Sequence, residues 1–244
     1  MKRLLVVVLL ALGACSSSES AEPDRTVTVF AAASLKATFT ELGKHFEQSH
    51  PGVEVSFNFA GSSDLVAQLQ QGARADVFAA ADEANMKKAT DAALVDSPTV
   101  FARNTLTIVV PSGNPKGVNG FADLTRPDLQ VVTCAPQVPC GAAAQKIEKA
   151  TRVDVKPVSE ESSVTDVLGK VTTGQADAGL VYVTDVTAAA RAKVTAVAFP
   201  ESSGAVNAYP IGVLGKSELG AQFAAVVTGP EGRKVLTDAG FQVP

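Results

Sequence analysis

The sequence predicts an α/β protein built as two similar units with a ligand crevice between them. Three observations carry this prediction. Apolar runs of strand length alternate with segments of helical periodicity along most of the chain, the order that gives parallel sheets with helices on their faces. Hydrophobic residues make up 46% and charged residues 19%, enough apolar material for sizeable cores. The length of 244 residues suits one large domain or two small ones, at about 100–200 residues per domain.

The N-terminal segment stands outside this plan. Lys2 and Arg3 form a positive start, Leu4 to Leu12 is an apolar run too short to span a bilayer, and Leu12-Gly-Ala-Cys15 follows. That order reads as a secretory signal over residues 1–14. Its ending is similar to a bacterial lipobox, in which Cys15 becomes lipidated and is the first mature residue. A plain signal peptide with a chance cysteine is the alternative. Residues 15–25 are Ser/Glu-rich, lack apolar periodicity and fit a flexible tether from membrane to domain. Loss of Lys2 and Arg3 leaves 19 basic against 25 acidic side chains, so the formal net charge goes from −4 to −6. That balance argues against nucleic acid as a partner. An anion site in such a chain must work through local dipoles.

The elements follow in order. Val27, Val29 and Phe30 belong to a β-rich run that passes through three alanines to Ser34, and Leu35, Phe39, Leu42 and Phe46 recur at helix spacing. Ser34 is therefore expected at the N-cap of the first helix. Val53–Phe57 alternates as a strand, and Gly61-Ser62-Ser63 leads into a helix with Leu65, Val66 and Leu69 on one face and Asp64 in its first turn. Asp76–Ala80 is a buried strand, and residues 83–93 are helical. Asn104–Pro111 reads as one strong strand, residues 121–129 as a short polar helix, and Leu129–Thr133 as a strand. Gly141 opens a helix, and Val153–Val158 is a strand. Ser163 and Asp166 then form a capping-box-like pair before Val164, Val167, Leu168 and Val171. Ala178–Val183 is a buried strand, and Thr184-Asp185 start the next helix. Val194–Phe199 and Tyr209–Leu214 are strands, and two helices close the chain, the second with Pro230 at its first position. In open α/β sheets, ligands bind at the strand ends, so the crevice belongs there.

Four corners share one grammar: Ala33-Ser34, Gly61-Ser62-Ser63, Pro139-Cys140-Gly141 and Ser162-Ser163-Val164. Each ends at a helix start with unpaired N–H donors, and Tyr182 adds a phenolic hydroxyl at a strand end. Such a set donates hydrogen bonds and carries no formal charge, which suits a small, fully ionised oxyanion. Taken singly, each serine is an ordinary helix cap and Tyr182 an ordinary core tyrosine. Only their meeting in space makes a site, and spacing along a chain does not show that. Cys134 and Cys140, six residues apart with two prolines between them, suit a disulfide in an exported chain. Two free thiols or half of a metal site are the alternatives, though no histidine lies near in sequence. A hydrolase reading has little to stand on. There is no G-x-S-x-G and no S-x-x-K, and the two histidines, His45 and His50, fall at the end of one polar-faced helix.

Val27-Thr-Val-Phe-Ala-Ala-Ala-Ser-Leu35 resembles the opening motif of the periplasmic molybdate-binding proteins of molybdate ABC importers. Phe59-Ala-Gly-Ser-Ser63, Gly72–Asp76 with Ala80-Ala-Asp82, Val138–Gly141, Val181-Tyr182 with Asp185, and Gly229-Pro-Glu231 with Gly240-Phe241 are similar to further segments of that family, in its order. The resemblance implies a class II periplasmic-binding-protein fold, two Rossmann-like lobes joined by two crossover strands, Thr105–Val110 and Tyr209–Leu214. One lobe would be residues 26–107 plus 209–244 and the other 108–208. The family's ligand contacts carry over to Ser34 and Ser62 through hydroxyl and backbone N–H, to Cys140 and Val164 through backbone N–H, and to Tyr182 through its hydroxyl. Cys140 departs from the family, where alanine is common, and Ser63 is the neighbour that could replace Ser62. The implied function is a lipid-anchored, extracytoplasmic receptor that captures molybdate or tungstate and delivers it to an ABC permease. It would be a monomer with no catalytic activity, no cofactor and no metal beyond that in the oxyanion. A receptor of the same fold for sulfate or ferric iron, or more remotely a secreted serine hydrolase, is the alternative.

Overall fold

The structure is a computed structural model and describes residues 25–244. The expected leader, Cys15 and all but the last residue of the expected tether lie outside the described residues. No helix among the described residues is long and apolar enough to cross a membrane.

Strand β1 (Thr26–Ala32) passes through a 3-10 turn, Ala33–Leu35, into helix α1 (Lys36–Ser49). Then follow β2 (Glu54–Ala60), α2 (Ser62–Gln70), β3 (Val77–Ala79) and α3 (Glu83–Asp91). β4 (Thr99–Asn104) and β5 (Leu106–Pro111) are separated by Thr105 alone. A 3-10 turn, Phe121–Thr125, precedes β6 (Val131–Cys134), α4 (Pro139–Thr151), β7 (Ser159–Glu161), α5 (Val164–Thr172) and β8 (Ala178–Tyr182). After the 3-10 turn Val183–Asp185 come α6 (Ala188–Arg191), β9 (Val194–Val197), β10 (Asn207–Val213), α7 (Glu218–Thr228) and α8 (Pro230–Asp238).

These strands form two five-stranded sheets, ordered β2-β1-β3-β10-β4 and β7-β6-β8-β5-β9. In the first, β1 is parallel to β2 and β3, while β10 runs antiparallel to β3 and β4. In the second, β6 is parallel to β7 and β8, while β5 runs antiparallel to β8 and β9. The sequence makes this inevitable in β1. Val27, Val29 and Ala31 point to a core shared with Phe39 and Phe46 of α1 and Phe223 of α7, whereas Phe30 points the other way onto Leu65, Leu69 and Met86 of α2 and α3. A strand covered on both faces needs apolar residues at successive positions, and that is what the sequence supplies. The first core is closed by edge-on aromatic contacts, Phe223 to Phe39 at 5.9 Å and to Phe46 at 5.6 Å.

The structure corrects four local expectations. Ser34 caps nothing: it sits inside the 3-10 turn, whose N-cap is Ala32, and α1 begins only at Lys36. The stretch Asn104–Pro111 is broken at Thr105, because β4 pairs with β10 in one sheet and β5 with β8 and β9 in the other. The strand expected over Val153–Val158 is displaced to Ser159–Glu161. Pro157 has no N–H to give a ladder, and regular pairing with β6 starts only beyond it, at Val132 and Ser159. Finally, the two crossovers are present but fall at or before the start of their expected spans, Thr105–Val110 and Tyr209–Leu214, since β5 lies wholly in the second sheet and β10 wholly in the first. The chain passes from one sheet to the other at Thr105 and again between Val197 and Asn207.

Candidate functional site

The parallel strands of both sheets deliver their following residues to one place. β1 ends at Ala33-Ser34, β2 at Gly61-Ser62, the loop after β6 at Pro139-Cys140, the loop after β7 at Val164, and β8 at Tyr182. Ser34, Ser62, Cys140, Val164 and Tyr182 all line one small cavity. The remaining wall is small and apolar: Ala32, Ala33, Ala60, Gly61 and Ala81 beside the first sheet, Val138 and Pro139 beside the second. Among the described residues no charged side chain lines it. Of the neighbouring serines, Ser62 is on the wall and Ser63 is not.

The backbone contributes donors without acceptors. Ser62 is the first residue of α2 after its cap Gly61, and Val164 is the first of α5 after its cap Ser163. The first N–H groups of a helix have no intrahelical partner and carry the positive end of its dipole. In α4, Pro139 at the first position has no N–H, so Cys140 supplies the first donor of that helix. Cys140 is held there by a disulfide to Cys134, the last residue of β6, with Cα atoms 5.7 Å apart. Ser163 closes its own cap, accepting from the Asp166 N–H at 3.3 Å and donating to the Asp166 carboxylate at 2.6 Å.

The hydroxyls are poised in the same sense. Ser62 Oγ accepts from the Ala81 N–H at 3.0 Å, which leaves the serine proton for another acceptor. The Tyr182 hydroxyl accepts from Asn207 Nδ2 at 2.9 Å, and its proton is likewise uncommitted to that partner. Ser34 Oγ and the Tyr209 hydroxyl share a hydrogen bond at 3.1 Å. Tyr182 and Tyr209 meet edge-on, ring centroids 5.8 Å apart. Burial pushes both phenols well above their ordinary pKa, and for Tyr182 the neighbouring Tyr209 and the carboxylates of Asp82 and Asp185 push the same way. Both tyrosines therefore remain protonated donors at neutral pH. Asp185 sits just behind, accepting from the Tyr182 N–H at 2.8 Å. Burial pushes its carboxyl up to about 7, and that hydrogen bond only partly offsets the rise.

The two lobes touch at the rim of the cavity. A Cβ on Gly61 would fall 2.1 Å from the Ser162 carbonyl oxygen, so first-lobe and second-lobe backbones are in direct contact there. Asn85 Nδ2 also reaches across to the Gln137 carbonyl at 3.3 Å, and Asn104 Nδ2 to Thr184 Oγ1 at 2.7 Å.

His45 and His50 lie elsewhere, near the C-terminal end of α1. His45 Nδ1 pairs with the Glu231 carboxylate at 2.6 Å, and His50 stacks on Phe46. Neither lines the cavity. Among the described residues no group of three or more His, Cys, Asp or Glu side chains could hold a metal ion. Tyr209 and Asn207 complete the hydrogen-bond network but were not singled out by their sequence context. Both lie in β10, Asn207 as its first residue and Tyr209 in its apolar stretch, with no motif around them.

Two α/β sheets whose strand ends converge on one cavity have the plan of a solute-binding protein. Residues 27–242 match the model of the bacterial extracellular solute-binding proteins. The chain belongs to that non-enzymatic family and, within it, to the ModA molybdate-binding proteins. It is 53% identical over 249 residues to the molybdate-binding protein ModA of Mycobacterium tuberculosis, covering 99% of this chain and 95% of the relative. It is 29% identical to ModA of Escherichia coli, covering 89% of each chain. The periplasmic molybdate-binding protein of Azotobacter vinelandii has the same fold, with TM-score 0.75 at 21% identity, covering 89% of this chain and 99% of that one. The fold is thus that of the periplasmic binding proteins.

Proposed function

We propose that this protein captures molybdate or tungstate between its two lobes, one built on each sheet, with the chain crossing between them at Thr105 and again between Val197 and Asn207. It does so outside the membrane, held there by a lipid on Cys15 and the tether to residue 25, and passes the anion to an ABC permease. One observation carries the reading. Ser34, Ser62, Cys140, Val164 and Tyr182 converge from both lobes on a single cavity with hydroxyl and N–H donors and no charged group. A dianion is stabilised there by several partial charges, each with an optimal direction, and the chain's overall negative charge is kept out of contact. A protonated oxyanion would need an acceptor as well, and the wall offers few. The close relation to ModA of Mycobacterium tuberculosis supports molybdate in particular.

Because molybdate, tungstate and sulfate are all tetrahedral dianions, selection among them rests on cavity size, held by the closed contact of the lobes. Ferric iron fits poorly, since tyrosine ligation uses a pair of phenols and of the two tyrosines only Tyr182 lines the cavity. Isothermal titration of the mature protein tests the reading. Molybdate and tungstate bind tightly and sulfate does not compete. An absence of heat with both molybdate and tungstate overturns it.

A further inference from the structure

Asn207 stands behind the cavity wall rather than on it. It is the first residue of β10, buried at 6% exposure, and its Nδ2 faces three acceptors. These are the Ala81 carbonyl at 2.8 Å, the Tyr182 hydroxyl at 2.9 Å and the Pro139 carbonyl at 3.3 Å. All three partners line the cavity, Ala81 beside the first sheet, Tyr182 and Pro139 beside the second. Chemistry fixes which edge of the amide faces them. Carbonyl oxygens only accept, so the NH₂ must point at Ala81 and Pro139.

Two consequences follow. An amide nitrogen does not accept hydrogen bonds, so the Tyr182 proton cannot point back at Asn207. Its remaining directions are Tyr209 and the cavity. The bonds to Pro139 and Tyr182 also cross from β10 of the first sheet to the second-sheet lobe, so separating the lobes would break them. With the lobes apart, water takes over these contacts, so the bonds favour closure by the modest net gain of a direct hydrogen bond over solvated partners.

We propose that Asn207 is a positioning residue of the anion site, a latch that favours the closed lobes and turns the Tyr182 hydroxyl into a donor toward the ligand. The proposal rests on reading the cavity as an oxyanion cage. The side chain need not touch the anion. It acts through Tyr182 and through the lobe contact.

The molecule carries its own probe. It has no tryptophan, and Tyr182 and Tyr209 are its two tyrosines, so the near-ultraviolet tyrosine band reports on this network alone. The test uses the mature wild-type protein, Asn207→Ala, the isosteric Asn207→Asp, Tyr182→Phe and the Asn207→Ala/Tyr182→Phe double variant. Each is titrated with molybdate, tungstate and sulfate, with dissociation rates and ligand-free melting temperatures recorded. Asn207→Ala is expected to melt within a few degrees of wild type, bind roughly tenfold more weakly through faster dissociation, and show an altered tyrosine difference spectrum on binding. Asn207→Asp, which keeps the shape but loses the donors, is expected to bind more weakly still, and it replaces Asn207→Ala should that variant not fold. In the double variant the two losses are less than additive, because one residue acts through the other. Wild-type affinity and dissociation rate in both Asn207 variants overturn the proposal, as do strictly additive losses. Wild-type protein that binds sulfate but neither molybdate nor tungstate overturns the molybdate reading alone, and the variants are then compared with sulfate. Binding of none of the three anions overturns both.

Discussion

Gly61 is the residue at which closure is most sharply defined. Its backbone angles, φ −60° and ψ 139°, are open to any amino acid, so glycine is not there for conformational freedom. It is there for proximity. An added Cβ would meet the Ser162 carbonyl oxygen at 2.1 Å, a backbone atom that no rotamer change can move aside. The clash belongs to the closed arrangement, since Gly61 and Ser162 sit on different lobes. Gly61→Ala should leave the ligand-free protein as stable as wild type, or more stable by about 0.4–1 kcal/mol through a stiffer unfolded chain. Anion affinity should fall, because an overpacked contact typically costs about 1–3 kcal/mol, roughly fivefold to 150-fold in binding. Thermal denaturation and titration of the same variant separate the two effects, and unchanged affinity would mean that the anion is seated without this contact. At this scale the sequence was partly legible. Ser34, Ser62, Cys140, Val164 and Tyr182 could be marked because each sits at a strand-to-helix corner or strand end. Asn207 could not. Its partners lie 126, 68 and 25 residues away along the chain, and nothing local distinguishes it.

At the scale of elements, the start of α4 is the most heavily engineered by the sequence. Pro139 sets the first helical position, the Cys134–Cys140 disulfide ties that turn to the end of β6, and Gly141 packs against the chain beneath. A Cβ there would fall 2.1 Å from the Ala135 carbonyl oxygen. The closed loop is short, so the bridge contributes only about 2 kcal/mol through chain entropy. Its larger effect is to hold the Cys140 N–H against the cavity. A Cys134→Ala/Cys140→Ala variant, or the reduced wild type, should melt lower by roughly 4–8 °C, yet fold and bind the anion a few-fold more weakly. Calorimetry with and without a thiol reductant checks this, and a melting temperature indifferent to reductant would sink it. The disulfide was readable from spacing and compartment together. So were β1 and β8, in which the apolar runs Val29–Ala33 and Ala178–Val183 are the mark of buried strands. What misled was punctuation. Pro157 delayed β7, a single residue divided β4 from β5, and small residues let Ala33–Leu35 wind as a 3-10 turn where a capped helix was expected.

For the whole molecule the central problem is to hold a dianion in a chain that is itself negative. The cavity solves it by keeping formal charges off its wall, but Asp185 stays close, bonded to the Tyr182 N–H and electrostatically felt by both tyrosines. Its carboxyl is raised from 3.8 to about 7 by burial. Between those values the folded protein holds a proton that the unfolded chain has released. Asp185 therefore makes stability fall as pH rises through that window and has no further effect above it. Asp82, also raised by burial, is the second carboxylate near the tyrosines, but Asn85 donates to it and Lys88 and Lys146 face it. The two-lobed plan was legible in the alternation of strands and helices. This electrostatic coupling was not, because the burial that creates it comes from tertiary packing rather than from the residues adjacent in sequence. A dianion in the neighbouring cavity raises the Asp185 carboxyl further, so binding takes up a proton and affinity weakens as pH rises from about 6 to about 8. Asp185→Asn keeps an oxygen for the Tyr182 N–H and removes the charge. It should flatten that dependence and bind more tightly than wild type at the alkaline end. Titrations of both proteins with molybdate at three pH values decide the matter, and parallel pH profiles for the two would place the charge that governs binding somewhere other than Asp185.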